Sequence, residues 1–297
     1  MEKKNLKKNL NMKKQGYFEG WYIKQQNQTE AVAFIPAFHK NEAGEKTVSL
    51  QIITNDKVYH FDFPLSACRI DHKKDRLYLD KCVFSEKMCL LQIQSAQGSV
   101  SGILRFGRLT NPRYDIMGPF SMVPFLQCRH SVFSLTHTVN GKIEINDQTF
   151  EFQDDLGYME GDRGRSFPKR YIWTQCNWEK NSLMLSVADI PFGKFGFTGC
   201  IGFIYWKGQE YRIATYLGVR LIYVSDTIVI IRQGELLLTI RLLEENNHLL
   251  KAPQNGKMTR HIAESLSCTV HYKCALGDEI LFDFVTTQAS FESNWEE

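Results

Sequence analysis

Short runs in which apolar and polar residues alternate dominate this chain. Residues 58–63, Val-Tyr-His-Phe-Asp-Phe, alternate in part, and residues 142–152 alternate on both sides of Asn146 and Asp147. A period of two is typical of a strand with one face in the core and the other in solvent. An Asn-Asp pair between two such runs is typical of a hairpin turn. The pattern therefore predicts antiparallel β structure.

Strand-like segments recur along the whole chain and are separated by turn residues such as Asn55-Asp56, Lys207-Gly208 and Gly234-Glu235. Short strands about ten residues apart are typical of β-barrels and β-sandwiches. Few segments favour a helix: residues 256–266 fit about one helical turn, and Asn181-Ser182 resembles a helix cap, although the residues after it favour a strand. The predicted strands are 20–24, 31–39, 47–54, 57–64, 76–79, 89–95, 100–106, 143–145, 148–152, 171–177, 183–190, 198–206, 209–216, 221–225, 227–233, 236–244, 267–272 and 279–287.

The chain has 297 residues, which is enough for one large β domain or two β domains of ordinary size. Two β units fit the strand count, and we expect their boundary near residues 140–155, where Asp154-Asp155 ends a predicted strand. The expected division is a basic tail over residues 1–15, an N-terminal β domain over 16–150 and a C-terminal β domain over 151–297.

The charge of the chain is concentrated at its start. Residues 1–15 contain six lysines and one acid, a local charge of +5, and the whole chain is +3, so the rest carries −2. A body without basic excess argues against nucleic acid as a partner. The tail is either a solvated terminus or a contact with an anionic membrane surface. Oligomeric state is not readable from the sequence.

Eight cysteines are present, without a C-x-x-C pair or the His spacing of a zinc site. The first 15 residues lack the apolar segment of a secretory signal, and no stretch approaches the roughly 18 to 20 apolar residues of a membrane span. We therefore expect reduced cysteines in a cytoplasmic protein, with contact at the inner face of the membrane as the alternative location.

The segment over residues 157–177, GYMEGDRGRSFPKRYIWTQCN, differs from ordinary barrel sequence. Six charged residues lie within positions 160–170, and glycines separate several of them. We interpret residues 158–168 as a charged, glycine-rich access loop. The second part of the segment alternates as a strand, which places Tyr171, Trp173, Gln175 and Asn177 on one face.

Two features of this segment have open interpretations. Gln175 and Asn177 either line a pocket with a polar ligand or water, or clamp the backbone of a neighbouring loop. Glu160 and Asp162 either form surface ion pairs with Arg163 and Arg165, or include one carboxyl that an apolar cavity keeps protonated as an acid.

The same residues resemble the tocopherol cyclase family. The family tract Y-x-E-x-x-W-G-x-x-F-P followed by W-x-W-x-Q-x-N aligns with residues 158–177. Gly16-Tyr-Phe-Glu-Gly-Trp-Tyr matches the family opening, residues 117–130 resemble its central M-G-x-x-x-x-x-P-F-M-E-C-x-H block, and residues 211–218 resemble a later block. The likeness extends from about residue 16 to residue 290.

This resemblance implies a pair of lipocalin-like or calycin-like β units that enclose apolar space. It also implies a cyclase that closes a chroman ring on a prenylated quinol, and related folds include carotenoid hydratases and pericyclase-type enzymes. The chain departs from the family at four positions: Gly161 replaces a basic residue, Arg163 and Arg129 replace aromatic residues, and Gln127 replaces a carboxylate.

Chroman closure requires a proton for an alkene and attack of a phenolic oxygen on the resulting cation, and no redox cofactor or metal. The expected acid is Glu160 or Asp162, with Glu19 as a weaker candidate, and His130 or His39 would accept the phenolic proton. Aromatic faces stabilise cations, so Trp21, Tyr171 and Trp173 are expected to bind substrate. The other expected substrate-binding residues are Glu19, His39, Arg163, Gln175 and Asn177. For each histidine, and for Trp21, a purely structural role is the alternative.

The expected function is therefore cyclisation or isomerisation of a prenylated quinol or another isoprenoid-type hydrophobic molecule by acid catalysis in an apolar pocket. The alternative is a non-catalytic, lipocalin-like protein that binds a hydrophobic small molecule. A third interpretation, an interaction module that uses the basic N-terminus, has only the lysines in its favour.

Overall fold

A computed structural model describes residues 16–71, 76–123, 126–192, 195–246 and 248–295. The basic tail predicted for residues 1–15 lies outside the described residues. Within the described ranges, the helical segments are three short 3-10 turns, at Leu65–Ala67, Gly118–Met122 and Thr215–Leu217. No described helix has the length and apolar character that a membrane span requires.

The first half of the chain forms an antiparallel sheet in which eleven described strands follow the order β4-β3-β2-β1-β11-β10-β9-β8-β7-β6-β5. Most neighbours in the sheet are also neighbours in sequence, as in a meander, and β1 joins β11 at the centre. The strands are β1 Tyr17–Gln26, β2 Ala31–Lys40, β3 Lys46–Thr54, β4 Val58–Phe63, β5 Cys68–Asp71, β6 Arg76–Leu79, β7 Cys82–Ser85, β8 Met88–Ser95, β9 Gly98–Phe106, β10 Cys128–Ile145 and β11 Gln148–Gly164.

The second half forms a ten-stranded antiparallel sheet, counted over the described residues, with the order β15-β14-β13-β12-β21-β20-β18-β17-β16 and β19 paired with β20. The predicted all-β, two-unit fold is therefore confirmed. The strands are β12 Tyr171–Trp178, β13 Asn181–Phe192, β14 Phe195–Trp206, β15 Gln209–Ala214, β16 Arg220–Val224, β17 Ile228–Gln233, β18 Leu236–Glu244, β19 His248–Gln254, β20 Lys257–Leu276 and β21 Glu279–Asn294.

Several local predictions hold because the turn residues determine the hairpins. Asn146 lies at φ 52° between β10 and β11, and Lys207 and Gly208, at φ 49° and 83°, connect β14 to β15. Positive φ at both central residues is the geometry of the favoured two-residue hairpin turn. All eight cysteines are free thiols, as expected.

Two local predictions are wrong. Of the predicted helical turn over 256–266, residues 257–266 belong to strand β20. Asn255 and Gly256 adopt φ 49° and 72° and form the turn of the β19–β20 hairpin. The predicted access loop over 158–168 is strand β11 as far as Gly164. Its glycines fit a strand because β1 and β10 flank it closely on both sides.

The chain passes from the first sheet to the second between Gly164 and Tyr171. The boundary expected near residue 150 lies inside β11, and the division into two domains stays a prediction. The connecting residues are fixed to the β19–β20 turn, since Gly256 N donates to Arg165 O at 2.9 Å and Asn255 N donates to Ser166 Oγ at 2.8 Å.

Each sheet curves around its own apolar core, and a third apolar layer lies between the sheets. Successive side chains of strand β12 point to opposite faces of the sheet and so enter two different apolar layers. Its residues Ile172 and Cys176 enter the core of the second sheet, whereas Tyr171 and Trp173 enter the layer between the sheets. The predicted common face of Tyr171 and Trp173 is therefore confirmed.

Candidate active site

A cavity of about 190 Å³ lies between the two sheets. Both sheets contribute to its wall, which is mostly apolar and includes Phe18, Ile35, Phe167 and Ile201. An apolar cavity of roughly 150 Å³ accepts a benzene molecule, so this space admits at least one aromatic ring. The few polar groups in the wall are therefore the candidates for chemistry.

His130 lies between two carboxyl groups at this wall. Its Nδ1 is 3.1 Å from Asp162 Oδ1 in a hydrogen bond, and its Nε2 is 3.2 Å from Glu160 Oε2 in an ion pair that is poorly aligned for a hydrogen bond. The arrangement follows from the register, because His130 on β10 lies directly opposite Asp162 on β11, and Glu160 is two residues away on the same face. We call these three residues the His130 cluster.

Glu160 has further partners in the same layer. The hydroxyl of Tyr158 donates to Glu160 Oε2 at 2.6 Å, and the indole of Trp173 donates to the same oxygen at 3.3 Å. Trp173 comes from the second sheet, so this contact joins the sheets at the site. An oxygen that receives two donors acts as an acceptor, so this side of Glu160 is held in a fixed orientation.

The charges of the cluster depend on one another. Burial lowers the pKa of His130, but the charges of Glu160 and Asp162 outweigh burial and raise this pKa well above its ordinary value. The two neighbouring carboxyl groups therefore favour the protonated form of His130. Burial, with Glu160 next to it, raises the pKa of the Tyr158 hydroxyl, which stays protonated as a donor.

The opposite wall of the cavity carries a second polar pair, formed by Glu292 and Tyr171 of the second sheet. The hydroxyl of Tyr171 donates to Glu292 Oε1, and both side chains are buried. In the β12–β21 register Glu292 lies opposite Trp173, whose indole reaches Glu160. Trp173 therefore links the two polar groups, as the register partner of Glu292 and a hydrogen-bond donor to Glu160.

His39 and Trp21 also line the cavity. His39 is buried, with Nε2 3.4 Å from Ser49 Oγ and no hydrogen-bond partner for Nδ1 among the described residues. Burial, with a smaller contribution from His60, lowers the pKa of His39 to about 4. His39 is therefore neutral at pH 7, and its role as a proton acceptor stays a prediction.

Gln175 and Asn177 are buried beyond the cavity, behind the edge-to-face pair of Tyr22 and Trp173. Gln175 Nε2 donates to Asn177 Oδ1 at 2.8 Å, and Gln26 Nε2 donates to the backbone oxygen of Asn177 at 3.1 Å. Neither residue is among those that line the cavity. The structure thus brings them to buried Lys24 and Gln26 of β1 and not to the His130 cluster.

Glu19 and Arg163 lie opposite each other in the β1–β11 register, and neither lines the cavity. Glu19 accepts a hydrogen bond from Tyr17 at 2.6 Å, and Arg163 is exposed. Of the two other departures from the family pattern, Gln127 lines the cavity and Arg129 does not. Gln127 Nε2 donates to Phe167 O at 3.0 Å, and Arg129 Nη2 donates to Val123 O at 3.2 Å.

The His130 cluster also contains residue types that bind metals, and its ligand atoms lie within 4.8 Å of one another. Each imidazole nitrogen of the cluster faces a carboxyl oxygen. Glu160 Oε2 is in addition an acceptor for Tyr158 and Trp173. A metal ion would have to displace these contacts.

Comparison with known proteins finds a family model that is similar to part of this site. Residues 86–191 match the family model described as Tocopherol cyclase-like. This stretch is tocopherol cyclase-like. It contains the His130 cluster, Tyr158, Tyr171 and Trp173, whereas the motif matches at residues 16–22 and 211–218 lie outside it. The likeness predicted from sequence motifs is therefore confirmed, over a shorter range than the motifs suggested. No curated protein matches the chain in sequence.

Solved structures share the fold around the tocopherol cyclase-like stretch. A putative AttH from Nitrosomonas europaea is 11% identical, with 95% of this chain and 92% of that chain covered and a TM-score of 0.54. The structure of CghA with Sch210972 is 9% identical, with 94% and 88% covered and a TM-score of 0.58. Another CghA structure is 9% identical, with 95% of this chain and 90% of that chain covered and a TM-score of 0.55. At these identities the comparison shows a common fold.

The sequence did not single out Glu292, Tyr158 or Lys24, which the structure buries between the two sheets. Tyr158 had a signal, because it precedes Glu160 by two positions and so lies on the same strand face. Glu292 had only a weak signal, a carboxylate next to Phe291 and beyond the predicted end of the last strand at residue 287. Its pairing with β12 is not encoded in any local pattern.

Proposed function

We propose that this protein is a cyclase or isomerase that acts on a prenylated quinol or a related isoprenoid-type molecule. The observation that carries the proposal is the position of His130 between Glu160 and Asp162 at the wall of a mostly apolar cavity. Dry surroundings strengthen the electrostatic interactions of such a group with a substrate. The tocopherol cyclase-like stretch over residues 86–191 supports the same reaction class.

The proposed reaction is a net isomerisation. A proton adds to a trisubstituted alkene, a phenolic oxygen forms a bond to the tertiary cation, and the phenol loses its proton, so that atoms and electrons balance within the substrate and one proton relay. The His130 cluster supplies a place where a proton can be taken up or released. Trp173, Tyr22 and Trp21 offer aromatic faces to the cation.

The first test is an assay of purified protein with prenylated quinols of several chain lengths. We expect an isomeric product of unchanged mass and a loss of at least about 100-fold in kcat for Glu160→Gln, the scale of general acid–base catalysis. The matched control is Glu151→Gln, an exposed carboxyl on the same strand, which should leave kcat unchanged. Activity equal to wild type in Glu160→Gln would remove the cluster from the mechanism.

A binding protein without catalysis would give a different result. Native mass spectrometry would then find a hydrophobic molecule that co-purifies with the protein and is released unchanged, and no quinol would yield an isomer. Added divalent metal provides a second control, because activity that requires it would identify the His130 cluster as a metal site instead of a proton relay.

A further inference from the structure

Glu292 is a second carboxyl group at the cavity, on the sheet that faces the His130 cluster. Its side chain lines the cavity, and the residue is 6% exposed. Oε1 accepts a hydrogen bond from the hydroxyl of Tyr171, and no hydrogen bond found among the described residues involves Oε2. One oxygen of Glu292 is therefore held by Tyr171, and the other is open to a ligand in the cavity.

The surroundings of Glu292 favour its neutral form. Burial, together with the charges of Asp162 and Glu160, raises the pKa of the Glu292 carboxyl well above its ordinary value. The groups that face this region are Glu160 and Asp162 from β11, His130 from β10, Tyr171 from β12 and Arg260 from β20, whose guanidinium lies 5.5 Å from the Tyr171 ring. The side chain of Glu264, the register partner of Glu292 on β20, lies outside the described residues.

The carboxyl group on the facing sheet is Asp162 of the His130 cluster. Asp162 Oδ1 accepts hydrogen bonds from His130 and from Cys128, the latter at 3.4 Å, and the Asp162 side chain is 23% exposed. The two donors fix the orientation of the Asp162 carboxyl group. The cavity thus has a carboxyl group on each of the two sheets, and a hydrogen-bond donor holds each of them.

We propose that Glu292 is a catalytic acid that delivers the proton to the substrate, and that Asp162, held by His130, removes the proton from the attacking hydroxyl group. This assignment rests on the proposed function. It divides the two proton transfers of the reaction between the two sheets. It also predicts the substrate class: a molecule with an alkene and a hydroxyl group that reach opposite walls of the cavity at the same time.

The proton balance is complete within this arrangement. The O–H bond at Glu292 Oε2 breaks as a C–H bond forms on the alkene, which leaves a tertiary cation and the Glu292 carboxylate. The hydroxyl oxygen of the substrate forms the new C–O bond, and its O–H proton passes to Asp162. Water returns that proton to Glu292 when the product leaves, so the enzyme is regenerated without another reactant.

The first test compares Glu292→Gln with Glu279→Gln, an exposed carboxyl on the same strand, in the quinol assay. Gln keeps the size of the side chain and can accept the Tyr171 hydrogen bond, but it has no acidic proton. We expect kcat to fall at least about 100-fold in Glu292→Gln and to stay unchanged in Glu279→Gln. A kcat for Glu292→Gln within threefold of wild type would overturn the assignment.

A second measurement does not depend on turnover. The infrared spectrum of the wild-type protein at pH 7 should contain a carboxylic-acid C=O band that Glu292→Gln removes and that Glu292→Asp shifts. If wild type lacks this band, Glu292 is ionised and the proposal fails, whatever the activity. If the band is present but no quinol reacts, the proposed function fails while the donor at Glu292 stands.

Discussion

At the scale of single residues, Glu160 is the best-defined group of the cavity. Tyr158 approaches it from its own strand, His130 from the neighbouring strand and Trp173 from the other sheet. Its sequence signal was clear, because Glu160 and Asp162 are alternate residues among glycines. The alternative of surface ion pairs with Arg163 and Arg165 does not describe Glu160, which is 4% exposed and contacts His130 instead.

The hydrogen bond from Tyr158 to Glu160 gives the first residue-scale prediction. Tyr158→Phe removes a donor from a buried carboxyl group, and hydrogen bonds to charged groups contribute about 1.5–3 kcal/mol. We expect kcat in the quinol assay to fall roughly 10- to 100-fold, since 1.4 kcal/mol corresponds to a factor of ten. Tyr205→Phe, at the edge of the same layer, is the control, and an equal loss there would show that the effect is only structural.

His39 gives a prediction about stability and pH. Its pKa is about 4 in the folded protein and 6.5 without the fold, so the unfolded chain binds more protons between these values. The free energy of unfolding therefore rises with pH across this window and is lost on acidification. The loss from His39 should be about 3 kcal/mol between pH 7 and pH 4.

The measurement is chemical unfolding at pH 7 and pH 4 for wild type and His39→Gln. The variant should lose about 3 kcal/mol less than wild type over this range. His137, whose pKa burial also lowers to about 4, remains in both proteins and is a common background. Identical losses in the two proteins would mean that His39 is protonated at the same pH in the folded and unfolded states.

At the scale of elements, the sequence predicted strands well and loops poorly. Hairpins with clear turn residues, such as Asn146-Asp147 and Lys207-Gly208, were read correctly. Strand β11 was interpreted as a loop after residue 157 because its glycines and charges look like loop composition. The glycines are required by contacts with neighbouring strands and not by a loop. At Gly161, for example, a Cβ would meet Gly20 O at 2.9 Å and Trp21 Cδ1 at 3.0 Å.

The β19–β20 turn allows a matched prediction. Gly256 and Gly234 both have positive φ, 72° and 57°, but a Cβ at Gly256 would lie 2.0 Å from Lys40 O, whereas nothing lies within 4 Å at Gly234. Gly234→Ala should lower the free energy of unfolding by about 1–2 kcal/mol through the left-handed backbone alone. Gly256→Ala should cost about 1–3 kcal/mol more because of overpacking between the sheets.

Thermal and urea unfolding of the two variants measure this difference. The ordering of the variants is the result that matters, because both share the backbone penalty. Equal destabilisation would mean that the turn does not press against β2 and that the two sheets are held together elsewhere.

The segment between β9 and β10 covers one side of the cavity through Met117, Phe120 and Leu126. Arg212 of the second sheet holds it, donating to the backbone oxygens of Tyr114 and Asp115 at 2.9 Å each and to Glu210 at 2.7 Å. Arg212→Lys loses this forked geometry. We expect faster amide exchange over residues 113–123 and a higher KM with a smaller change in kcat.

Hydrogen exchange followed by mass spectrometry checks the Arg212 prediction. Arg241→Lys, an exposed change on β18, is the control and should leave exchange in this segment unchanged. If Arg212→Lys leaves the exchange rates and KM as they are in wild type, the segment does not depend on Arg212 for its position.

At the scale of the whole molecule, the site exists only because two sheets meet. The His130 cluster comes from the first sheet, and Trp173, Tyr171 and Glu292 come from the second. The sequence predicted the residues of the family-like tract and the two-unit fold. It did not predict Glu292, since strand pairing between distant segments depends on topology and packing, which local patterns do not specify.

The central claim is that a proton delivered in this cavity drives cyclisation or isomerisation. It is tested most directly by running the quinol reaction in D2O and locating deuterium in the product. We predict an isomer with one non-exchangeable deuterium on the former alkene CH carbon, next to the new C–O bond, and no such product from Glu160→Gln. An isomer without deuterium would contradict proton-driven closure, and a product that has gained water would indicate hydration instead.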